Sequence, residues 1–362
     1  MRKKSLIKSL ALISILSSAI GATAYADTAT YTYKLSNGKT TFYNDGTNTF
    51  YQDIWTNAAS LWNNTHYVSM TVGTTNDFRA GNTSDSTVTW DGITNTTWNT
   101  STTLITSQRS WVNTYYTTLS RYTTDIIKGI ATHEFGHATG LQHNSSDPSV
   151  MYPYTFSYNS STGVYTPSRP YTWPTTADIA GLNSKYGPAQ YSAPIDANPQ
   201  LSNYSEVTFV DPSWAVEYDD VKGLGQNADL VVTGEITEKN KELKKDANNP
   251  VGLQTVSELK VDKVVKGQGD IATGTALNVK QLGGLDTNVA IISEDTTFLQ
   301  SGEKVLLFLK KNDDGTYSLI NEDSSIFTNN DDSKSSKSAI IQYKNLKSNL
   351  VTDVDTLTQS LK

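Results

Sequence analysis

Three of the four histidines in this chain of 362 residues fall within thirteen positions, ATHEFGHATGLQH (131–143). The same stretch holds Glu134, the only glutamate between residue 1 and residue 205. Imidazole nitrogens bind transition metals, and a carboxylate beside a metal can accept a proton. Because this half of the chain uses both residue types so sparingly, the stretch is predicted to carry chemistry.

The pattern TTDIIKGIATHEFGHATG (123–140) predicts a helix, with a threonine cap at position 123 or 124, apolar residues at helical spacing and Gly140 at its end. His133 and His137 are four positions apart, so they project from one face of that helix, about one turn apart. Two imidazoles placed in this way can hold one cation.

Glu134 follows His133 directly, so its carboxylate points beside the cation, where it can take a proton from a metal-bound water. Gly140 permits a sharp turn, because glycine adopts positive φ without a Cβ penalty, and that turn lets His143 reach the same cation. Three neutral imidazoles favour a single Zn²⁺ and leave a fourth position for water or substrate. The sequence therefore predicts His133, His137 and His143 as metal ligands and Glu134 as the catalytic base.

The stretch HEFGHATGLQH matches the spacing HExxHxxGxxH and resembles the signature of the metzincin zinc proteases. Downstream, SVMYP (149–153) resembles their Met-turn, with Met151 as an apolar floor beneath the zinc. WVNTYY (111–116) and DIAGLNSKYG (178–187) are similar to the matrixin branch. Pro153 stands where the astacin and serralysin branches place a zinc-contacting tyrosine, which argues against those branches. The resemblance covers roughly residues 30–187.

The resemblance implies an α+β catalytic domain, with a twisted mixed sheet and two helices above a zinc cleft. A peptide would lie extended in that cleft, paired with an edge strand of the sheet. Glu134 would pass the proton on to the leaving amine. Tyr152, Pro153 and Tyr154 are candidates for a substrate pocket, although structural packing explains the two tyrosines equally well. Thr155 takes the place of the tyrosine that matrixins carry in this wall segment.

Two departures from the animal matrixins are visible. Those enzymes block their zinc with a propeptide cysteine, and this chain contains no cysteine, so latency by that route is excluded. They also hold a second, structural zinc largely through histidine. The spare histidine here is His66 alone, so that second zinc site is predicted to be absent. A calcium site remains open. The turn around Asp147 is not surrounded by an oxygen-ligand loop pattern, and a simple turn is the favoured interpretation.

The first 26 residues have the pattern of a secretory signal peptide: a basic start, the apolar run LALISILSSAIGA and the small-x-small site Ala24-Tyr25-Ala26. The apolar run is too short to span a bilayer, and no membrane span is predicted after cleavage. Without residues 1–26, 25 basic and 36 acidic residues give a formal charge of −11, which argues against nucleic-acid binding. Secretion together with the lack of cysteine indicates an extracellular protein of a Gram-positive type of bacterium.

Composition changes near residue 200, where GPAQYSAPIDANPQ (187–200) is typical of a linker. The predicted organisation is a signal peptide (1–26), a catalytic domain (27–187), a linker (188–202), a β-rich accessory domain (203–325), and a polar loop with an amphipathic helix (326–362). Strand patterns recur in the accessory part, at 229–236, 258–267, 275–283, 304–311 and 316–322.

The accessory part is predicted to be a small sandwich or barrel. Its strands DLVVTGEI (229–236) and ELKVDKVVKG (258–267), followed by LQSGEKVLLFL (299–309), resemble netrin-like modules, which are OB-type barrels. A generic β accessory domain is the alternative.

The leading functional hypothesis is a secreted zinc endopeptidase that acts on protein or peptide substrates, with Zn²⁺ as its one catalytic metal. The alternatives are a secreted binding or adhesion protein whose protease fold is inactive, and a zinc hydrolase acting on a non-peptide bond. The presence of all three ligands and the glutamate weighs against the first alternative, and the Met-turn weighs against the second.

Overall fold

The computed structural model describes residues 27–74, 76–146, 148–169, 171–187, 201, 204–245, 253–267, 269, 271–286, 289–329 and 341–361. The predicted signal peptide, almost all of the predicted linker and Asp147 lie outside the described residues. Among the described residues, no helix is both long enough and apolar enough to cross a membrane.

The first half builds a mixed sheet whose strands run in the order β4-β5-β3-β1-β2. Strand β4 is antiparallel to β5, whereas all the other neighbours are parallel. The strands are β1 (Lys39–Asp45), β2 (Ser69–Val72), β3 (Phe78–Thr83), β4 (Trp90–Asn99) and β5 (Ile105–Asn113). Within these five strands β4 lies at one edge, and helix α3 (Thr124–Ala138) contacts it.

Two long helices pack against this sheet. Helix α1 (Thr49–Asn63) begins at Asn48, whose side chain accepts from the Tyr51 amide, and helix α3 (Thr124–Ala138) begins at Thr123, whose hydroxyl accepts from the Ile126 amide. The short helix α2 (Thr114–Thr117) follows β5. Large aromatic side chains that are fully buried join the two long helices to the sheet: Phe42, Trp55, Trp62 and Phe135.

The segment after α3 forms the lower part of the first half. It contains β6 (Tyr154–Asn159), β7 (Val164–Pro167) and helix α4 (Thr176–Tyr186). Asp178 at the start of α4 accepts from the backbone amide and the hydroxyl of Thr175 and from the Ser149 hydroxyl. This one buried carboxylate therefore fixes α4 against the turn that precedes β6.

Apolar residues at helical spacing within FYQDIWTNAASLWNN (50–64) predict a helix there, as the pattern at 123–140 does. Both helices are found almost where the sequence places them. The alternating pattern YTYKLS (31–36) predicts a strand, but this stretch forms no regular strand. Isolated bridges are made by Lys34 and by Thr30 just before the stretch, and Tyr31, Tyr33 and Leu35 are buried. The alternation of residue types in 31–36 therefore reflects which side chains are buried. The first strand with regular pairing is β1.

The sheet continues into the second half of the chain through β8 (Glu206–Tyr218), β12 (Gly284–Leu285) and β13 (Ala290–Ile292). Strand β8 lies antiparallel to β4 over nine residue pairs, from Trp90–Trp214 to Asn99–Glu206. Further along, β8 pairs in parallel with β6. Residues 206–218, predicted as part of the accessory domain, thus complete the sheet of the first half.

The rest of the second half forms a closed five-stranded barrel in the order β9-β10-β11-β15-β14, and β14 pairs back to β9. All of these pairings are antiparallel except that of β11 with β15. The strands are β9 (Leu230–Lys245), β10 (Leu253–Lys266), β11 (Ala276–Leu282), β14 (Lys304–Lys311) and β15 (Tyr317–Leu319). Of the predicted sandwich or barrel, the structure therefore has the barrel. The netrin-like resemblance itself stays a prediction.

The C-terminal helix differs from its predicted extent. The apolar stripe from Leu346 to Leu361 predicts one helix, but the chain forms β16 (Ile326–Asn329), β17 (Gln342–Asn345) and β18 (Val351–Asp353) before helix α6 (Val354–Ser360). Helix α5 (Val221–Asn227) packs against α6. Asn345 accounts for the difference: its side chain accepts from the Lys347 and Ser348 amides and donates to the Ile326 carbonyl. These bonds make a turn where the stripe would continue a helix.

Gly136 in α3 is expected to be intolerant of any side chain, because an added Cβ would overlap Met151 Sδ and lie 2.9 Å from Trp62. We expect Gly136→Ala to lower the free energy of unfolding by about 1–3 kcal/mol, measured by urea denaturation. Gly129→Ala is the matched control in the same helix, since the nearest atom to its new Cβ is 3.4 Å away. That control should be neutral or stabilising by up to about 1 kcal/mol. Equal effects of the two changes would contradict the proposed close contact.

Candidate metal centre

Three imidazoles meet at the C-terminal end of α3. The possible ligand nitrogens of His133, His137 and His143 lie within 4.8 Å of one another. Nε2 of His133 and Nε2 of His137 are 3.0 Å apart. The loop after α3 turns back at Gly140, whose φ of 90° is left-handed, and brings His143 to the pair. The structure therefore brings together the three histidines that the sequence predicts.

Each ring is held through its other nitrogen. Nδ1 of His133 lies 2.8 Å from the Val150 carbonyl, and Nδ1 of His137 lies 2.9 Å from the Leu141 carbonyl. Both oxygens are pure acceptors, so both Nδ1 atoms carry the proton and the Nε2 lone pairs face inward. This is the arrangement by which proteins orient metal-binding imidazoles.

His143 is oriented by a residue of the second half of the chain. Its Nδ1 lies 2.5 Å from Oε1 of Glu294. Burial would raise the pKa of Glu294, but His143 more than offsets it and lowers that pKa to about 2, so the carboxylate is ionised and accepts. Nε2 of His143 is buried and has no hydrogen-bond partner among the described residues. The sequence gives no local signal for Glu294, because the chain brings it to the site from about 150 residues away.

These residues fit a cation. Two unprotonated nitrogens at 3.0 Å repel each other unless a positive charge lies between their lone pairs. Burial lowers the pKa of both His133 and His137 well below the usual range, so protonation does not supply that charge. A neutral, all-imidazole donor set suits Zn²⁺. The inward-facing Nε2 atoms of His133, His137 and His143 are the three that would hold it.

Glu134 lies one position beyond His133 and is fully buried. Its Oε2 accepts from the Thr94 hydroxyl at 2.9 Å, while Oε1 has no partner among the described residues. Burial raises the pKa of Glu134 well above its usual range, against the lowering effect of the Thr94 hydrogen bond. The same hydroxyl lies 2.9 Å from the Glu134 carbonyl oxygen, so the two acceptors share its one proton. A fixed carboxylate with one free oxygen, on the residue that follows His133 in α3, is suited to accept a proton.

The floor of the site is Met151, which is fully buried. It lies against the helix at Gly136, one residue before His137, where the lack of a side chain makes room for its sulfur. The Met151 carbonyl accepts from the Asn144 amide at 2.9 Å, and the Met151 amide donates to the Ser149 hydroxyl at 2.8 Å. These bonds form the tight turn that also presents the Val150 carbonyl to His133.

The three predicted pocket residues lie along β8. The Tyr152 hydroxyl donates to Glu217 at 2.8 Å, and the Pro153 carbonyl accepts from the Trp214 amide at 2.8 Å. Tyr154 is paired with Trp214 in the β6–β8 ladder. A separate cavity of about 300 Å³ opens beside the start of α3. It is lined among others by Gly129, Thr155, Arg169, Tyr171 and Trp173.

His66 lies apart from the three imidazoles, in the turn after α1, with a left-handed φ of 65°. Its amide donates to the Asn63 carbonyl at 3.0 Å. The single cluster of three or more metal-ligating side chains that the described residues form is that of His133, His137 and His143.

Comparison with known proteins agrees with this centre. Residues 28–186 match the sequence model of the matrixin family. The match spans the histidines, Glu134 and the Met-turn, and its limits agree closely with the stretch that resembles metzincins. The resemblance of the first half to metzincin zinc proteases, in their matrixin branch, is confirmed.

Two individual relatives are similar over part of the chain. Human matrix metalloproteinase-20 is 37% identical over 59 residues, which make up 16% of this chain and 10% of that protein. The chain thus matches about a tenth of the length of this curated relative. Among solved structures, high choriolytic enzyme 1, a hatching-enzyme zinc protease from the medaka fish Oryzias latipes, is 13% identical. The structural match has a TM-score of 0.27 and covers 43% of this chain and 94% of the chain of that enzyme.

We expect Glu294→Gln to weaken zinc binding by about 10- to 100-fold, because a neutral amide orients the His143 ring less strongly than a carboxylate. The measurement is a competition titration of zinc against a chromophoric chelator. Glu238→Gln, an exposed change on the barrel strand β9, is the matched control and should bind zinc as the parent does. Unchanged zinc affinity in Glu294→Gln would show that the carboxylate does not support the ring.

Proposed function

Since residues 28–186 match the matrixin family, we propose that this chain is a secreted zinc-dependent endopeptidase. The observation that carries the proposal is the convergence of the imidazole nitrogens of His133, His137 and His143, with a buried glutamate that has one free oxygen directly after His133 on the same helix. A merely structural zinc site is closed by four protein ligands. The three-histidine cluster leaves a position free, which is the mark of a catalytic site.

His133, His137 and His143 would hold the zinc. When bound there, zinc acts as a Lewis acid that polarises a carbonyl and acidifies water. Glu134 is the general base toward the attacking water, and afterwards it returns the proton to the leaving amine. The Thr94 hydrogen bond holds Oε2 and leaves Oε1, which faces Gly92 of β4, without a partner among the described residues. The backbone carbonyls of Val150 and Leu141, with Glu294, keep the rings in place.

The proposed substrates are proteins or peptides bound in an extended conformation. Strand β4 is the antiparallel edge of the five-stranded sheet of the first half, and it contacts α3, which carries the histidines. An extended peptide adds to such an edge by main-chain hydrogen bonds. Secretion, with the first 26 residues as the signal, and an origin in a Gram-positive type of bacterium are part of the same proposal.

The test compares the purified parent chain with Glu134→Ala, each with its zinc content determined. We expect equal zinc in both and a loss of casein cleavage of about 10²–10⁴-fold in the variant, because the base is removed while the ligands stay. Addition of a chelator should abolish the parent's activity, and zinc should restore it.

A matched control is Glu238→Gln on the barrel strand β9, which should cleave casein at the parental rate. Cleavage by Glu134→Ala at the parental rate would contradict the role of Glu134. Full zinc in every chain without cleavage by any variant, including the variants with a displaced β8 described below, would favour the zinc-binding adhesion protein over the protease.

A further inference from the structure

Strand β8 lies where an extended substrate would lie. From Glu206 to Trp214 it is antiparallel to β4, and from Trp214 to Tyr218 it is parallel to β6. It therefore joins the upper sheet to the strand that follows the Met-turn and crosses the cleft between them. Strand β8 also contacts α3.

The register places the middle of β8 at the catalytic carboxylate. Two residues of β4 touch Glu134: Thr94, through its hydroxyl, and Gly92, where an added Cβ would overlap the carboxylate. Their partners on β8 are Asp211 and Ser213. Any peptide that paired with β4 near Glu134 would have to take the positions of these two residues.

Side chains fix β8 to both walls of the cleft. Upward, Asp211 accepts from the Tyr31 hydroxyl at 2.5 Å, and Ser213 donates to Asp91 at 3.1 Å. Downward, the Ser213 hydroxyl accepts from Arg169 at 2.6 Å. Tyr152 adds a bond to Glu217 at 2.8 Å. These bonds are specific to the sequence of β8, which makes it a fitted occupant of the cleft.

Apolar packing adds to this attachment. Val207, Val210 and Trp214 are buried, and Phe209 packs on the rings of Tyr31 and Tyr33. The indole of Trp214 donates to Asp295 at 2.7 Å, next to the Glu294 that holds His143. Strand β8 is thereby held from the first half of the chain and from the second.

We propose that the chain inhibits itself in cis: residues 206–218 occupy the substrate-binding edge of the cleft, and β8 must leave β4 before a protein substrate can bind. The proposal rests on the proposed function. It supplies latency from the C-terminal side, in a chain without the cysteine that a propeptide switch requires.

A reversible crosslink tests the proposal in the full chain. The hydroxyls of Thr97 on β4 and Thr208 on β8 are 2.8 Å apart, so Thr97→Cys with Thr208→Cys fits a disulfide. No other cysteine competes for it. Oxidation should reduce both casein cleavage and the binding of a fluorescein-labelled casein peptide, followed by anisotropy, by about tenfold or more, because only open molecules bind. Reduction should restore both. The control is Thr328→Cys with Lys344→Cys, a facing pair on β16 and β17, whose oxidation should change neither.

Weakened packing of β8 should have the opposite effect. Val207→Ala with Phe209→Ala removes apolar contacts between β8 and the first half of the chain, and should raise peptide binding and cleavage by up to about tenfold if the open fraction of the parent is about one in ten. Val231→Ala with Phe308→Ala, a facing and fully buried pair of the same residue types in the barrel strands β9 and β14, is the control and should bind and cleave the peptide as the parent does. Thermal unfolding of each variant establishes that it is folded.

The outcomes separate this inference from the proposed function. Equal peptide binding and cleavage in the oxidised and reduced crosslink variant would overturn self-inhibition and leave the protease intact. Peptide binding that follows the crosslink without cleavage in any variant would retain self-inhibition and refute the protease. Mass spectrometry of the intact chain after incubation with zinc provides a third arm. Scission within residues 206–218 would make β8 a substrate, and the inhibitor role would then be refuted.

Discussion

The fold depends on one unfavourable contact that it keeps in place: two unprotonated imidazole nitrogens, those of His133 and His137, face each other at 3.0 Å in a buried site. Such a pair is stable only with a cation, and only if the rings are prevented from rotating away. The backbone carbonyls of Val150 and Leu141 prevent that rotation. Both carbonyls come from the segment after α3. The turn at Gly140 and the Met-turn therefore do more than connect elements, because they hold the imidazole rings of His133 and His137 in place.

The cost of this arrangement is visible in the helix itself. Glycine within a helix is destabilising, yet α3 carries Gly136 at the point where Met151 and Trp62 press against it. On the opposite wall, Gly92 lets β4 approach Glu134. At both positions a glycine lowers the local stability of the backbone, and its missing side chain leaves room for Met151 or Glu134 to pack against it. Burial of the aromatic core around Phe135 and Trp55 offsets this loss of stability.

The sequence is informative where spacing along the chain sets the geometry. The separation of His133 from His137, the turn at Gly140 and the strand periodicity of the barrel are local properties, and all of them are found in the structure. Sequence reasoning missed two residues, Thr94 and Glu294, and the strand β8. All three reach the site through contacts between segments that are far apart along the chain. Local patterns do not encode such pairings. Thr94 lies in a strand rich in threonine and asparagine. Its alternation of apolar and polar residues is weak, so the sequence hardly specifies the pairing register of that strand. Glu294 lies in a short connection after β13.

Edge strands also explain why the second half is built onto the first. An antiparallel edge left uncovered pairs readily with other chains, whereas the proposed endopeptidase needs the edge of β4 open for its substrate. Strand β8 resolves the conflict by covering the edge from within the same chain. Strand β8 also pairs with β13, which leads directly into Glu294, and Trp214 is bonded to Asp295. The strand that covers the β4 edge and the carboxylate that orients His143 therefore belong to one connected part of the fold.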